Sequence, residues 1–130
     1  MTVARRYSTA ARRVRGLGAA RTGTGDFITL RVTSAALLIL TIGFVVTVAA
    51  LLGRSHAAAI QILASPLVAI VLLLFILTSI YHMWIGMQEI IIDYVHRDLP
   101  KFAALIGNTF FCVVVGVVCV FALARLTFGL

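Results

Sequence analysis

The chain has 130 residues, of which 62% are hydrophobic and 12% are charged, and its mean hydropathy is +1.14. A soluble domain carries about twice that share of charged residues. This composition excludes an ordinary soluble enzyme, a disordered tail protein and a disulfide scaffold. The two cysteines, Cys112 and Cys119, lie in one apolar run, where a helix would separate them by about 10 Å, too far for a disulfide. The sequence therefore indicates a small integral membrane protein.

Positive charge is concentrated at the start of the chain. The formal net charge is +7, and six of the eleven basic residues precede the first acid, Asp26: Arg5, Arg6, Arg12, Arg13, Arg15 and Arg21. Such a tail resembles a mitochondrial transit peptide in lacking acids, but it contains a single serine, Ser8. No soluble domain follows it, so we expect no nucleic-acid partner. We predict that residues 1–25 form a retained basic tail on the inner side of a membrane.

Three long windows without Asp, Glu, Lys or Arg follow this tail. Each can supply the roughly 20 helical residues that cross a bilayer. We predict an all-α membrane protein whose residues 26–130 form a three-helix anchor domain, with helices at about 27–52, 65–94 and 102–127. Asp26 would cap the first helix after the tail is broken by Gly23 and Gly25, and Ser65-Pro66 would start the second. The arginines place the N-terminus inside and the C-terminus outside.

His82 is the deepest titratable residue of the predicted second helix. A neutral imidazole can bind a metal through one nitrogen and form a hydrogen bond through the other. The alternative is a histidine hydrogen-bonded across helices to Ser or Asn, such as Ser34 or Asn108. On a helix, Gly86, Glu89 and Asp93 share its face within roughly 60°. Gly86 would leave room for a flat macrocycle, or equally for a close partner helix.

Three further residues at the inner end of the membrane allow both a structural and a functional interpretation. Arg31 opens the first helix, where it would reach the lipid headgroups or pair with a buried carboxylate. Asp93 and Tyr94 end the second helix. They would be interfacial residues, or a phenol beside a carboxylate that donates to a carbonyl oxygen and relays a proton. That chemistry suits a quinone arriving from the lipid.

Two stretches resemble the membrane-anchor D subunit family of succinate dehydrogenase, respiratory complex II. The first is Tyr81-His82-Met83-Trp84-Ile85-Gly86, with the tyrosine of Asp93-Tyr94-Val95 twelve residues after the histidine. The second is Phe27-Ile28-Thr29-Leu30-Arg31-Val32-Thr33-Ser34-Ala35, similar to the Arg-x-Thr-Ala start of that family's first helix. The resemblance extends from Asp26 to the chain end. Glu89 departs from the pattern, and we assign it no role.

The resemblance implies a role for each of four residues. His82 would be one axial ligand of haem b iron, and Arg31 would lie near the haem propionates. Tyr94 would donate a hydrogen bond to ubiquinone, and Asp93 would support that site. The partners would be a cytochrome b556-type C subunit, which supplies the other axial ligand, an iron–sulfur subunit and a flavoprotein subunit, with membrane lipid around them.

The implied function is electron transfer from succinate to ubiquinone, in the tricarboxylic acid cycle and the respiratory chain. The chain would be non-catalytic alone, and would lie in the bacterial inner membrane or, alternatively, the mitochondrial inner membrane. Other interpretations remain: a cofactor-free structural anchor or assembly protein, and a fumarate reductase anchor. A small multidrug-type transporter ranks last, because Glu89 is its only candidate proton-coupling acid.

Overall fold

The computed structural model describes residues 23–129, and its regular structure there is entirely helical. Helix α1 spans Gly23–Leu51, α2 spans His56–Leu63, α3 spans Pro66–Tyr94 and α4 spans Asp98–Phe128. The three long helices are each long and apolar enough to cross a membrane. The prediction of an all-α protein with three transmembrane helices is confirmed for this part of the chain. The six tail arginines lie outside the described residues.

The starts of the three long helices differ from the predicted ones, and α4 begins at Asp98 rather than at residue 102. Gly23 and Gly25 lie inside α1, and Asp26 belongs to its first turn rather than to a capping position. A glycine costs a helix only about 1 kcal/mol, so the pair does not stop it. Ser65 does precede Pro66 at the start of α3, but its hydroxyl donates to the Ile62 main-chain oxygen at 2.8 Å instead of capping the helix.

Helix α2 was not predicted, because its eight residues lie within the second charge-free window. The chain leaves α1 through Gly53, whose φ of 71° is a left-handed conformation that glycine adopts without strain. Ser55 then caps α2, its side-chain oxygen accepting from the Ala58 amide at 3.4 Å. The connection between α1 and α3 is thus folded rather than open.

Helix α3 lies between α1 and α4. On one side Phe44 of α1 stacks on Phe75, with ring centroids 4.7 Å apart. On the other side Gly116 of α4 packs on Ile80, close enough that a Cβ at Gly116 would lie 3.3 Å from Ile80 Cδ1. Small residues at such contacts let two helix backbones approach closely, as is typical in membranes.

The distribution of apolar side chains is that of a protein surrounded by lipid. Leu38 is 72% exposed and Phe110 is 68% exposed, and both belong to long apolar faces. By contrast, three of the buried residues are polar: Thr33, Thr47 and Asn108. In a bilayer, polar side chains are stabilised inside the helix bundle rather than on its surface.

Candidate functional site

His82 lies near the middle of α3 and faces α1. Its Nδ1 is 2.8 Å from the hydroxyl oxygen of Thr33, a buried residue of α1. The sequence had suggested Ser34 or Asn108 as the partner of a structural histidine. That choice is wrong, because Ser34 donates to Leu30 O and Asn108 donates to the main chain of α3. A hydrogen bond across helices is nevertheless present.

The other ring nitrogen of His82 points away from this bond. Among residues 23–129 no group forms a hydrogen bond with Nε2, and no buried side-chain polar atom in that range lacks a partner. Nε2 is therefore accessible from outside the described chain. One imidazole can hold a hydrogen bond at one nitrogen and bind a metal at the other.

Gly86 lies one turn further along the same face of α3 and has no side chain. A Cβ built there would meet only Leu30 Cδ2, at 4.0 Å, which is ordinary van der Waals contact. Packing within the described residues therefore does not require a glycine at this position. Glu89 continues this face and is half-buried. On the face of α3 that His82 and Gly86 share, packing against α1 within residues 23–129 is therefore loose enough to admit a Cβ at position 86.

Arg31 is exposed on α1, and its guanidinium lies 4.5 Å from the centre of the Phe27 ring. It is two residues from Thr33, so the two side chains leave the helix about 200° apart. The structure therefore does not bring Arg31 into contact with His82. Its predicted role at a propionate stays a prediction.

Asp93 and Tyr94 lie together at the end of α3, and both are exposed, Tyr94 by 78%. They are eleven and twelve residues from His82, which is roughly 17–18 Å along a helix. The structure therefore separates two candidate sites, one at the middle of α3 and one at its end.

Two basic side chains that the sequence analysis did not single out hold this helix end. Lys101 Nζ donates to Ile92 O at 3.1 Å, and His96 Nδ1 donates to Tyr94 O at 3.0 Å. The last carbonyl groups of a helix lack partners within the helix and carry partial negative charge. These two bonds fix the backbone from which Asp93 and Tyr94 project.

The opposite side of α3 carries a second polar cluster. Asn108 Nδ2 donates to Trp84 O at 3.0 Å, and Trp84 Nε1 donates to Thr109 Oγ1 at 3.1 Å. Tyr81 stacks on Trp84, with centroids 6.0 Å apart. Tyr81 and Trp84 therefore pack on each other, and Trp84 also bonds to α4.

A groove of about 800 Å³ also lies between α3 and α4. Its lining is apolar and includes Leu77, Ile80, Val113, Gly116 and Val120, and it contains none of the candidate site residues. Within residues 23–129 no three His, Cys, Asp or Glu side chains cluster to hold a metal ion. His82, the residue predicted to bind a metal, belongs to no such cluster in this range.

Comparison with known proteins places these features in a family. The sequence profile described as "Succinate dehydrogenase/Fumarate reductase transmembrane subunit" matches residues 5–123. The "Succinate dehydrogenase hydrophobic membrane anchor subunit" of Paracoccus denitrificans is 32% identical over 124 residues, which is 95% of each chain. No solved structure matches the chain significantly. The resemblance seen in the sequence is confirmed: this multi-pass membrane protein belongs to the succinate dehydrogenase/fumarate reductase transmembrane subunit family.

Proposed function

We propose that this chain is a membrane anchor subunit of a succinate:quinone oxidoreductase, where it provides one axial ligand of haem b and part of the ubiquinone-reduction site. The observation that carries the proposal is the accessible Nε2 of His82 above Gly86, in a chain of this family. The relative from Paracoccus, a succinate dehydrogenase anchor by name, favours succinate oxidation over fumarate reduction.

The residues around His82 fit a haem shared with a second subunit. A neutral imidazole nitrogen is a common iron ligand, and Gly86, one turn further along α3, has no side chain that would keep a flat ring from the helix backbone. Haem b, when bound, would supply a one-electron carrier. Its second axial ligand would come from the cytochrome b556-type C subunit. Arg31, near the inner end of α1, would reach the propionates by swinging away from Phe27.

Tyr94 and Asp93 would form this chain's part of the quinone site. The Tyr94 hydroxyl would donate to a quinone carbonyl oxygen, and Asp93 would accept and pass on protons as the quinone becomes a quinol. Both side chains are exposed here, so residues of the iron–sulfur and C subunits would complete the pocket and exclude water. Lys101 and His96 would keep the helix end in place during turnover.

The orientation follows from charge. The tail arginines, with Arg97 before α4 and Lys101 in its first turn, would lie on the inner side, where the flavoprotein and iron–sulfur subunits would bind close to Tyr94. The bacterial relative supports the bacterial inner membrane as the location. Electrons from succinate would then reach the quinone at the inner edge of the bilayer.

The quinone role is tested with Tyr94→Phe in the assembled complex, against Tyr81→Phe as a matched control on the same helix. A hydrogen bond of about 1.4 kcal/mol corresponds to tenfold in rate. We expect succinate–quinone turnover to fall about tenfold in Tyr94→Phe, while succinate oxidation with a soluble dye and the haem spectrum stay unchanged. Tyr81→Phe should leave all three unchanged. Equal quinone turnover in the two variants would contradict a direct hydrogen bond.

A further inference from the structure

The hydroxyl group of Thr33 has three polar neighbours but only one proton. Its oxygen lies 2.8 Å from Thr29 O, 3.1 Å from Leu30 O and 2.8 Å from His82 Nδ1. A threonine hydroxyl can donate once and accept through its lone pairs. Where its proton points therefore decides which nitrogen of the ring is protonated.

The two carbonyl groups decide the direction. An oxygen–oxygen distance of 2.8 Å is favourable only with a proton between the atoms, and a carbonyl group has none to give. The hydroxyl proton of Thr33 therefore points to Thr29 O or Leu30 O, and Oγ1 offers a lone pair to the ring. Nδ1 is then the protonated nitrogen of a neutral His82, and Nε2 carries the free lone pair.

We propose that Thr33 is a positioning residue for the iron ligand of this subunit. Its hydroxyl fixes the tautomer of His82 in which the accessible Nε2 can bind iron, and it fixes the plane of the ring. A hydrogen bond at the second nitrogen also makes the imidazole a stronger ligand. This inference deepens the proposed function and rests on it, and it assigns a role to a side chain of α1 rather than of the helix that carries the ligand.

Thr47 offers a matched control within the same helix. It is 8% exposed and Thr33 is 9% exposed. Each hydroxyl donates at 2.8 Å to the carbonyl oxygen four residues earlier, Gly43 O for Thr47 and Thr29 O for Thr33. Substitution by valine removes either hydroxyl with little change of shape. The two variants then differ in that Thr33→Val also removes the bond to His82.

The experiment compares the complex carrying Thr33→Val, Thr33→Ser, Thr47→Val or His82→Ala with the wild type. The readouts are haem content per assembled complex, the low-spin spectrum and the haem midpoint potential from a redox titration. Loss of such an outer bond weakens metal binding about 10- to 100-fold. We expect Thr33→Val to retain haem more weakly by that factor, with a more positive potential, because a weaker imidazole donor stabilises ferric iron less. Thr33→Ser and Thr47→Val should keep wild-type values.

The outcomes separate this inference from the proposed function. A wild-type complex without a b-type spectrum, or an unchanged spectrum in His82→Ala, overturns the proposed haem ligation and the role of Thr33 with it. If His82→Ala loses the spectrum but Thr33→Val matches Thr47→Val in haem content and potential, the ligation stands and the role of Thr33 is overturned. Should Thr33→Val fail to assemble, Thr33→Ala is compared with Thr47→Ala in the same way, and equal haem content and potential in that pair likewise overturn the role of Thr33.

Discussion

The two interfaces of α3 contain similar polar residues, but they differ in whether the last group of the hydrogen-bonded series has a partner. Toward α4, Asn108 donates to Trp84 O, Trp84 donates to Thr109, and Thr109 donates to Leu105 O. Each of these bonds ends on an acceptor within the chain. Toward α1, Thr33 bonds Nδ1 of His82 and the series ends at Nε2, which has no partner among residues 23–129.

This difference separates a structural interface from a functional one. In hydrocarbon an unpaired polar group costs several kcal/mol, so helices in a membrane normally pair such groups with each other, as α3 and α4 do. Ionisable groups at the middle of a transmembrane helix are usually functional, so the accessible nitrogen is where the proposed function places an outside partner. On the proposed function the same polar composition has two consequences: the α3–α4 interface stabilises the bundle, and the α1–α3 interface would present a ligand.

The largest effect should come from adding a large side chain one turn from His82. Gly86→Leu places an isobutyl group on the face of α3 that carries His82, and overpacking costs about 1–3 kcal/mol. We expect haem content of the complex to fall about tenfold or more, as measured by the reduced-minus-oxidised spectrum. The matched control is Gly107→Leu on α4, where a Cβ meets nothing within 4 Å. A wild-type haem content in Gly86→Leu would show that nothing approaches this face.

A smaller effect, on the free energy of unfolding, is expected from breaking a hydrogen bond at the α3–α4 interface. Asn108→Ala removes the amide that joins α4 to Trp84 O and leaves a small cavity beside Cys112. Hydrogen bonds between membrane helices contribute about 0.6 kcal/mol on average and up to about 1.7. We expect the free energy of unfolding in mixed detergent micelles to fall by about 1–2 kcal/mol.

Asn108→Leu serves as the control for this loss, because it removes the hydrogen bonds but fills the space. It should cost less than Asn108→Ala. Both variants should keep the haem spectrum of the wild-type complex once assembled. A spectral change as large as that of Gly86→Leu would show that the α3–α4 interface also shapes the ligand site.

The three transmembrane helices were predictable from the sequence because long charge-free windows mark their apolar spans, although α4 begins before its window, at Asp98, and includes Lys101. The charge-free windows gave three helices, and Pro66 located the start of the second to within a residue. Helix α2 was missed for the same reason, since it carries no charge between His56 and Leu63 and merges with the window that follows. Charge patterns reveal which segments cross the membrane but not how the connections between them fold.

The candidate site was predictable in part. His82, Asp93 and Tyr94 stand out as polar groups on an apolar helix, and the sequence pattern is sufficient to find them. Thr33 does not stand out, because Ser34 is its neighbour and only 100° away around α1. Which of the two hydroxyl groups faces His82 depends on how α1 and α3 are rotated against each other. That rotation is set by contacts such as Phe44 on Phe75. The sequence alone does not reveal which residues of the two helices form these contacts.

The smallest effect is expected at Trp84. Because Trp84 is only two residues from His82, a change there tests whether the α3–α4 and α1–α3 interfaces act independently. Trp84→Phe removes the indole donor to Thr109, whose own hydroxyl stays bonded to Leu105 O. We expect a loss of about 0.6 kcal/mol in the free energy of unfolding. A double-mutant cycle with Thr109→Val should give a coupling energy of that size, because the two side chains share one bond.

The haem midpoint potential should not move in either single variant or in the double variant. Residues two apart on a helix point about 200° from each other, so the change at Trp84 is made on the far side of α3 from the ligand. A shift like that expected for Thr33→Val would contradict this. It would show that the potential depends on how close a residue is to His82 along the chain, and not on which side of α3 its hydrogen bond lies. Zero coupling with an unchanged potential would instead show that the bond from Trp84 to Thr109 does not stabilise the α3–α4 interface. Asn108 would then be the polar residue that joins the two helices.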